Sequence, residues 1–156
     1  MKTNDNIKLR GHVNIKQFRG GKLIDERDDP NLIQNIGKTT LAKFISGEFT
    51  GNFGWMGIGK TGVGGDNGAL TALVAEVGLD GLTTTVHQVV NSAVVTTYTA
   101  LIIETFTMTG TAAISEIGLF NQLNLAGSTM LARQTFSDLN LVATDVLQIS
   151  WSIVVS

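Results

Sequence analysis

Gly54-Trp55-Met56-Gly57-Ile58-Gly59-Lys60-Thr61 has the G-x-x-x-x-G-K-T spacing of a phosphate-binding loop. Such a loop holds phosphates on backbone N–H groups and a lysine where a helix begins. Here Lys60-Thr61 runs into Gly62-Val63-Gly64-Gly65-Asp66-Asn67-Gly68. Glycine costs a helix about 1 kcal/mol per position, so the required helix is not expected. No apolar strand ending in a metal-binding Asp follows, since Leu101-Ile102-Ile103-Glu104 lies within a longer strand pattern. A chain with 18 glycines produces such spacings by accident. Gly37-Lys38-Thr39-Thr40 is a weaker imitation, with Leu32 where the first glycine belongs.

The other chemistry-bearing residues are scattered. His12 and His87 each lack a second histidine or carboxylate at ligand spacing, whereas a metal needs three or four convergent donors. Both are expected to be solvated or hydrogen-bonded surface side chains. Glu104 interrupts an otherwise apolar strand face, and Glu116 follows Ile114-Ser115. A facing pair could perform glycosidic chemistry, but no aromatic platform accompanies them. Pairing with Arg133 or with backbone N–H groups is the simpler expectation. Asp25, Glu26, Asp28 and Asp29 lack the alternating spacing of a calcium loop and read as a solvated turn. With no cysteine, the chain has no disulfide, no thiolate metal site and no thiol nucleophile. No catalytic residue, cofactor or metal is expected, and the chain reads as a non-enzyme.

Charge is unevenly distributed. Formal net charge is −2, yet nine of the eleven cations and five of the thirteen acids lie in residues 1–43, a net +4. Residues 44–156 hold two cations and eight acids, a net −6. Such asymmetry suggests ends that face different neighbours. Only Phe18 and Phe44 accompany the basic residues, so a nucleic-acid partner is not expected and an acidic protein partner is. Charged residues make up only 15% of the chain and hydrophobic ones 43%, which suits a surface partly covered by partners. Met1-Lys2-Thr3-Asn4-Asp5-Asn6 has no apolar signal segment, and no apolar run is long enough to span a membrane. A soluble protein made in the cytoplasm, with no membrane partner, is the expectation.

The positioning elements follow from periodicity. Residues 7–18 alternate as a half-buried strand, with Gly11 as a possible bulge. Arg19-Gly20-Gly21-Lys22 is a hairpin turn, Leu23–Arg27 its returning strand, and Asp28-Asp29-Pro30-Asn31 a closing turn. A helix follows, capped by Asn31 or Asn35, with Leu41, Phe44 and Ile45 on one inward face and Gly47 as a left-handed C-cap. One short strand lies near Trp55–Ile58, then an exposed glycine loop, then a helical turn over 69–76 that buries Leu70, Leu73 and Val74. From residue 83 the chain reads as β, through 83–90, a single long run over 94–108, then 114–120, 130–136 and 146–155. The architecture expected is mainly β: an antiparallel β-sandwich with an N-terminal β-hairpin and one short α-helix. It is one domain with a basic hairpin arm over 1–30 and a body over 31–156.

The order of segments carries a resemblance. Asn31-Leu32-Ile33-Gln34-Asn35-Ile36-Gly37 precedes the glycine segment, Ile114-Ser115-Glu116-Ile117-Gly118-Leu119-Phe120-Asn121 follows, and Leu147-Gln148-Ile149-Ser150-Trp151 lies in the last strand. This resembles small virion structural proteins of tailed bacteriophages, in which N-L-[IV]-x-N-x-G, E-x-G-L-F-N and L-x-I-x-W patterns recur in that order. Lys60 departs from the pattern, which has a small residue there. The resemblance implies a capsid decoration or cement protein in the virion, bound to the major capsid protein or other virion proteins, as a homotrimer. A tail, baseplate or fibre-tip component, with the 57–68 loop facing the host, is the alternative. Lys8, Arg10, Lys16, Arg19 and Lys22 are the expected partner-binding residues.

Overall fold

The computed structural model describes residues 8–60 and 68–156. Strand β1 (Leu9–Arg19) turns through Gly20 and Gly21 into β2 (Lys22–Ile33). Both glycines have positive φ, 55° and 75°, which is what a two-residue turn matching strand twist requires. Helix α1 (Asn35–Ser46) follows, then β3 (Trp55–Gly59), β4 (Glu76–Val77), β5 (Gln88–Val89), β6 (Ser92–Thr96) and β7 (Thr99–Thr107). Strands β8 (Ala112–Phe120), β9 (Met130–Leu141) and β10 (Val146–Val155) complete the chain.

All strand pairs are antiparallel, and one hydrogen-bonded path runs β4-β3-β8-β9-β2-β1-β10-β7-β6, with β5 also on β3. The expected mainly β, antiparallel fold with one helix and an N-terminal strand pair is present. Its strands form one curled sheet instead of two separate ones. Only Leu32–Arg133 and Ile33–Ala132 join β2 to β9, and that short seam is the corner. Val13, Ile15, Ile149, Trp151, Ile102 and Phe106 from one limb meet Ile114, Ile117, Leu119, Met56, Ile58 and Leu139 from the other in one core. The 1–30 segment, over its described residues, is no projecting arm: β1 pairs with β10 from Leu9↔Val155 to Phe18↔Val146.

Several local expectations need correction. Gly11 lies in regular register, and the bulge falls between Gln17 and Phe18. A Cβ at Gly11 would lie 2.5 Å from Asn31 Oδ1, so close approach explains this glycine. Asp28–Asn31 is not a turn but part of β2, where Pro30 faces His12 of β1. Proline is tolerated there because β9 pairs with β2 only beyond it, so that on that side β2 is an edge strand at Pro30. Gln34, not Asn31 or Asn35, occupies the N-cap of α1 and makes no side-chain cap bond. Gly47 is left-handed (φ 79°) as expected, and the Glu48 N–H reaches the Lys43 carbonyl. The helix buries Gly37 and Thr40, while Phe44 and Ile45 are exposed. A Cβ at Gly37 would meet the Leu131 carbonyl at 2.5 Å, so the helix backbone itself rests on β9.

Residues 69–75 form bends, not a helical turn, with Leu73 buried and Val74 exposed. The 94–108 run divides at Thr97-Tyr98 into β6 and β7. The expected glycine loop splits: Gly57 and Gly59 are buried in β3, and residues 61–67 lie outside the described residues. No helix among the described residues is long and apolar enough to cross a membrane.

Candidate functional site

The centre of the phosphate-loop spelling, Trp55–Gly59, lies on strand β3, and its Thr61 falls outside the described residues. Trp55–Gly59 pairs with β8 from Trp55↔Phe120 to Gly59↔Glu116, and the Lys60 amine donates to the Gly81 carbonyl. Its glycines answer a packing demand. Gly57 and Gly59 lie on the same side of β3; a Cβ at the first would collide with Glu76, and at the second it would lie 2.6 Å from Glu116 Oε1.

Those two carboxylates belong to buried polar clusters. Glu116 Oε2 accepts from Arg133 Nε at 2.9 Å and Nη2 at 2.7 Å, and Oε1 accepts the Val74 and Ala75 N–H groups at 2.7 and 2.9 Å. The pairing of Glu116 with Arg133 therefore matches expectation, and both side chains are wholly buried. His87 does not match: it is a core residue, stacked on Phe120 with ring centroids 3.9 Å apart. Its Nδ1 lies 2.7 Å from the Gln122 carbonyl and its Nε2 3.2 Å from Glu76 Oε1. Glu76 borders a cleft of about 490 Å³ with Lys60 and Phe120. Lys60 is already engaged by the Gly81 carbonyl, whereas Glu76 Oε1 and His87 Nε2, though adjacent, make no hydrogen bond among the described residues. His12 is exposed, 3.4 Å from Asp28.

Glu104 stays apart from Arg133. It faces inward from β7 opposite Ile149, and its Oε2 has no hydrogen-bond partner among the described residues. Burial pushes its carboxyl above the ordinary 4.5, against a smaller pull from the Asn91 and Thr105 backbone. At the opposite extreme, Asp145 is held down to about 2, chiefly by the hydrogen-bonded Arg19 guanidinium. Their pH dependences run in opposite directions. A raised carboxyl pKa contributes stability that is complete below about 4.5 and lost as pH rises through the folded value. A depressed one contributes stability present above 3.8 and lost as pH falls towards about 2. Thermal melts across pH should show Glu104→Gln melting above the parent at neutral pH and losing that advantage near pH 4, while Asp145→Asn flattens the acid limb. An E104Q advantage independent of pH would contradict the burial account.

The five expected partner-binding cations separate. Alternation places Arg10 and Lys16 on the outward face of β1 with His12 and Asn14, and Lys8 is exposed at its start. Lys16 lies 3.4 Å from Glu26, whose carboxyl is lowered first by the Asn14 side-chain amide and then by Lys16. Arg19 Nε and Nη2 donate to Asp145 at 2.8 and 2.7 Å, and Nη2 also donates to the Asn140 carbonyl. Arg19 thus fastens the β9–β10 turn. Lys22 stands beside it at the hairpin tip, roughly 30 Å along the strand from Arg10 at ~3.3 Å per residue. Lys8, Arg10 and Lys22 have no acidic partner among the described residues.

At the other end, Lys8 and Arg10 meet a residue that sequence reasoning did not single out. Lys38 of α1 faces them across a groove of about 630 Å³ floored by Leu9, Leu41, Ala42 and Ile45. Lys38, Leu41, Ala42 and Ile45 recur at i, i+3, i+4 and i+7, a single helix stripe that the sequence did contain. Lys8 is anchored there by paired backbone bonds to Ser156 of 2.6 and 2.9 Å. Leu9 and Leu41 also wall a second, apolar hollow of about 460 Å³, completed by Phe53, Val95, Tyr98 and Ile153. Val95 is 74% exposed, Tyr98 72% and Ile45 74%, so this end presents apolar side chains to solvent beside three cations. Such a surface can hold a partner by apolar burial and charge pairing. Comparison with family models, curated proteins and solved structures found no match to this chain.

Proposed function

We propose that this chain is a non-enzymatic structural protein of a tailed-bacteriophage particle that binds and stabilises the capsid. The observation that carries the reading is the end built by α1, the start of β1 and the β6–β7 turn, where exposed Ile45, Val95 and Tyr98 adjoin Lys8, Arg10 and Lys38, which have no acidic partner among the described residues. Contiguous exposed apolar surface bordered by charge is a feature of interaction sites. The segment order resembling virion proteins supplies the setting. Decoration works through many copies, so each contact needs little affinity when neighbouring subunits present the site together. A trimer around a symmetry axis suits that arithmetic.

Purified particles decide it. Mass spectrometry should find the protein in them, and cryo-EM should place its density on the head. Removing it should lower the temperature at which heads release DNA. Density at the tail tip would move the role to host contact, and absence from particles would overturn the reading.

A further inference from the structure

We propose that the α1–β1 groove and the adjoining apolar hollow form one docking site for an extended segment of a partner protein whose acidic residues adjoin apolar ones. The proposal deepens the function above and rests on it for the partner's being a particle protein. Charge complementarity chooses the occupant. Lys16, Arg19, Arg27 and Arg133 are each ion-paired within the chain, and Lys60 donates to a carbonyl. Apart from Lys60, the cations left without an acidic partner among the described residues are Lys8, Arg10, Lys22, Lys38 and Lys43. Three of these five line one groove, and among the described residues no acid lines it with them.

The hollow supplies the second requirement. It shares Leu9 and Leu41 with the groove, and its lining is apolar apart from the Thr97 and Tyr98 hydroxyls. A partner filling both places must carry carboxylates next to aliphatic or aromatic side chains. A phosphodiester backbone would satisfy the cations and leave the hollow empty. A bilayer would meet the rim and not the depth of a concave site. An extended segment is favoured because β6 borders the hollow through Val95 and, among the described residues, pairs only with β7, leaving its other edge open to a further strand.

The probe is a short fluorescein-labelled peptide with a Leu/Phe half joined to a Glu half, titrated into the full-length protein at low salt and followed by anisotropy. Saturable binding is expected, weakened at least ~10-fold by the triple variant Lys8→Glu/Arg10→Glu/Lys38→Glu and by about as much when the peptide's Leu and Phe become Ser. Reversing Lys43, outside the groove, should change affinity by less than about twofold. All substituted cations are exposed, and melting curves check that each variant folds. No saturable binding up to about 1 mM, or equal loss in the two charge variants, overturns the site. So does tighter binding of a single-stranded oligonucleotide or of phosphatidylglycerol vesicles. Peptide binding by a protein absent from particles would retain the site and remove the virion reading. A triple variant that loads onto particles as well as the parent does the reverse.

Discussion

Arg133→Met should destabilise the protein by roughly 3–5 kcal/mol in urea unfolding, because it leaves the Glu116 carboxylate buried without its counter-charge. Both side chains have zero solvent exposure, and the guanidinium donates twice to one carboxylate oxygen. The other oxygen accepts the Val74 and Ala75 N–H groups, so the charge also holds the 69–75 segment against β8. Desolvating two ions is costly, and the pair as a whole adds little net stability. Losing one member is what hurts. The double variant Glu116→Gln/Arg133→Met removes both charges and keeps an amide oxygen for the two N–H groups. It should therefore recover part of the loss, less about 1–3 kcal/mol for an amide NH2 buried without an acceptor. If the double variant costs as much as the two single changes added together, the uncompensated charge is not the cause and cavity formation is.

This cluster also shows where sequence reasoning stops. The G-x-x-x-x-G-K-T spelling resembled ligand chemistry, but its central glycines exist because Glu76 and Glu116 crowd β3 from residues far along the chain. No local pattern reveals that crowding. Strands β1 and β10 were legible because alternation persists through each of them, and β8 because it is a short apolar run, buried along nearly its whole length. Strand β2 was legible only to Arg27, since an acidic stretch with a proline reads as a turn unless its free edge is known. The β6–β7 break was hidden because Thr97 adopts a φ of 53° without glycine or asparagine to announce it. In α1, burial followed close backbone contact at Gly37 instead of side-chain size, so Phe44 and Ile45 face solvent. The shared outward face of Arg10 and Lys16 could be read from alternation. That Arg19 meets Asp145, 126 residues later, could not. Lys38 was missed because its stripe joins the β1 cations only once α1 folds beside them.

Trp151→Ala should cost about 3–5 kcal/mol, the range for emptying a buried aromatic site. Trp151 is fully buried between Val13 on β1 and Ile102 on β7, so no neighbour can fill the gap without moving a central strand. The indole also has a polar task. Its Nε1 donates to Asn31 Oδ1 at 3.1 Å, and the Asn31 amide donates to the Arg133 carbonyl across the corner where β2 meets β9. The ring thus holds in place the side chain that fastens one limb of the sheet to the other. Trp151→Phe keeps most of the apolar volume and leaves Asn31 Oδ1 without that donor, a loss of about 1–3 kcal/mol for an unsatisfied buried acceptor. The two components are separable by measurement. In an Asn31→Ala background the Phe substitution should cost less than in the parent, because the acceptor is already gone. Equal cost in both backgrounds would mean that Trp151 acts by volume alone and that the corner is held by the strand pairing at Leu32 and Ile33.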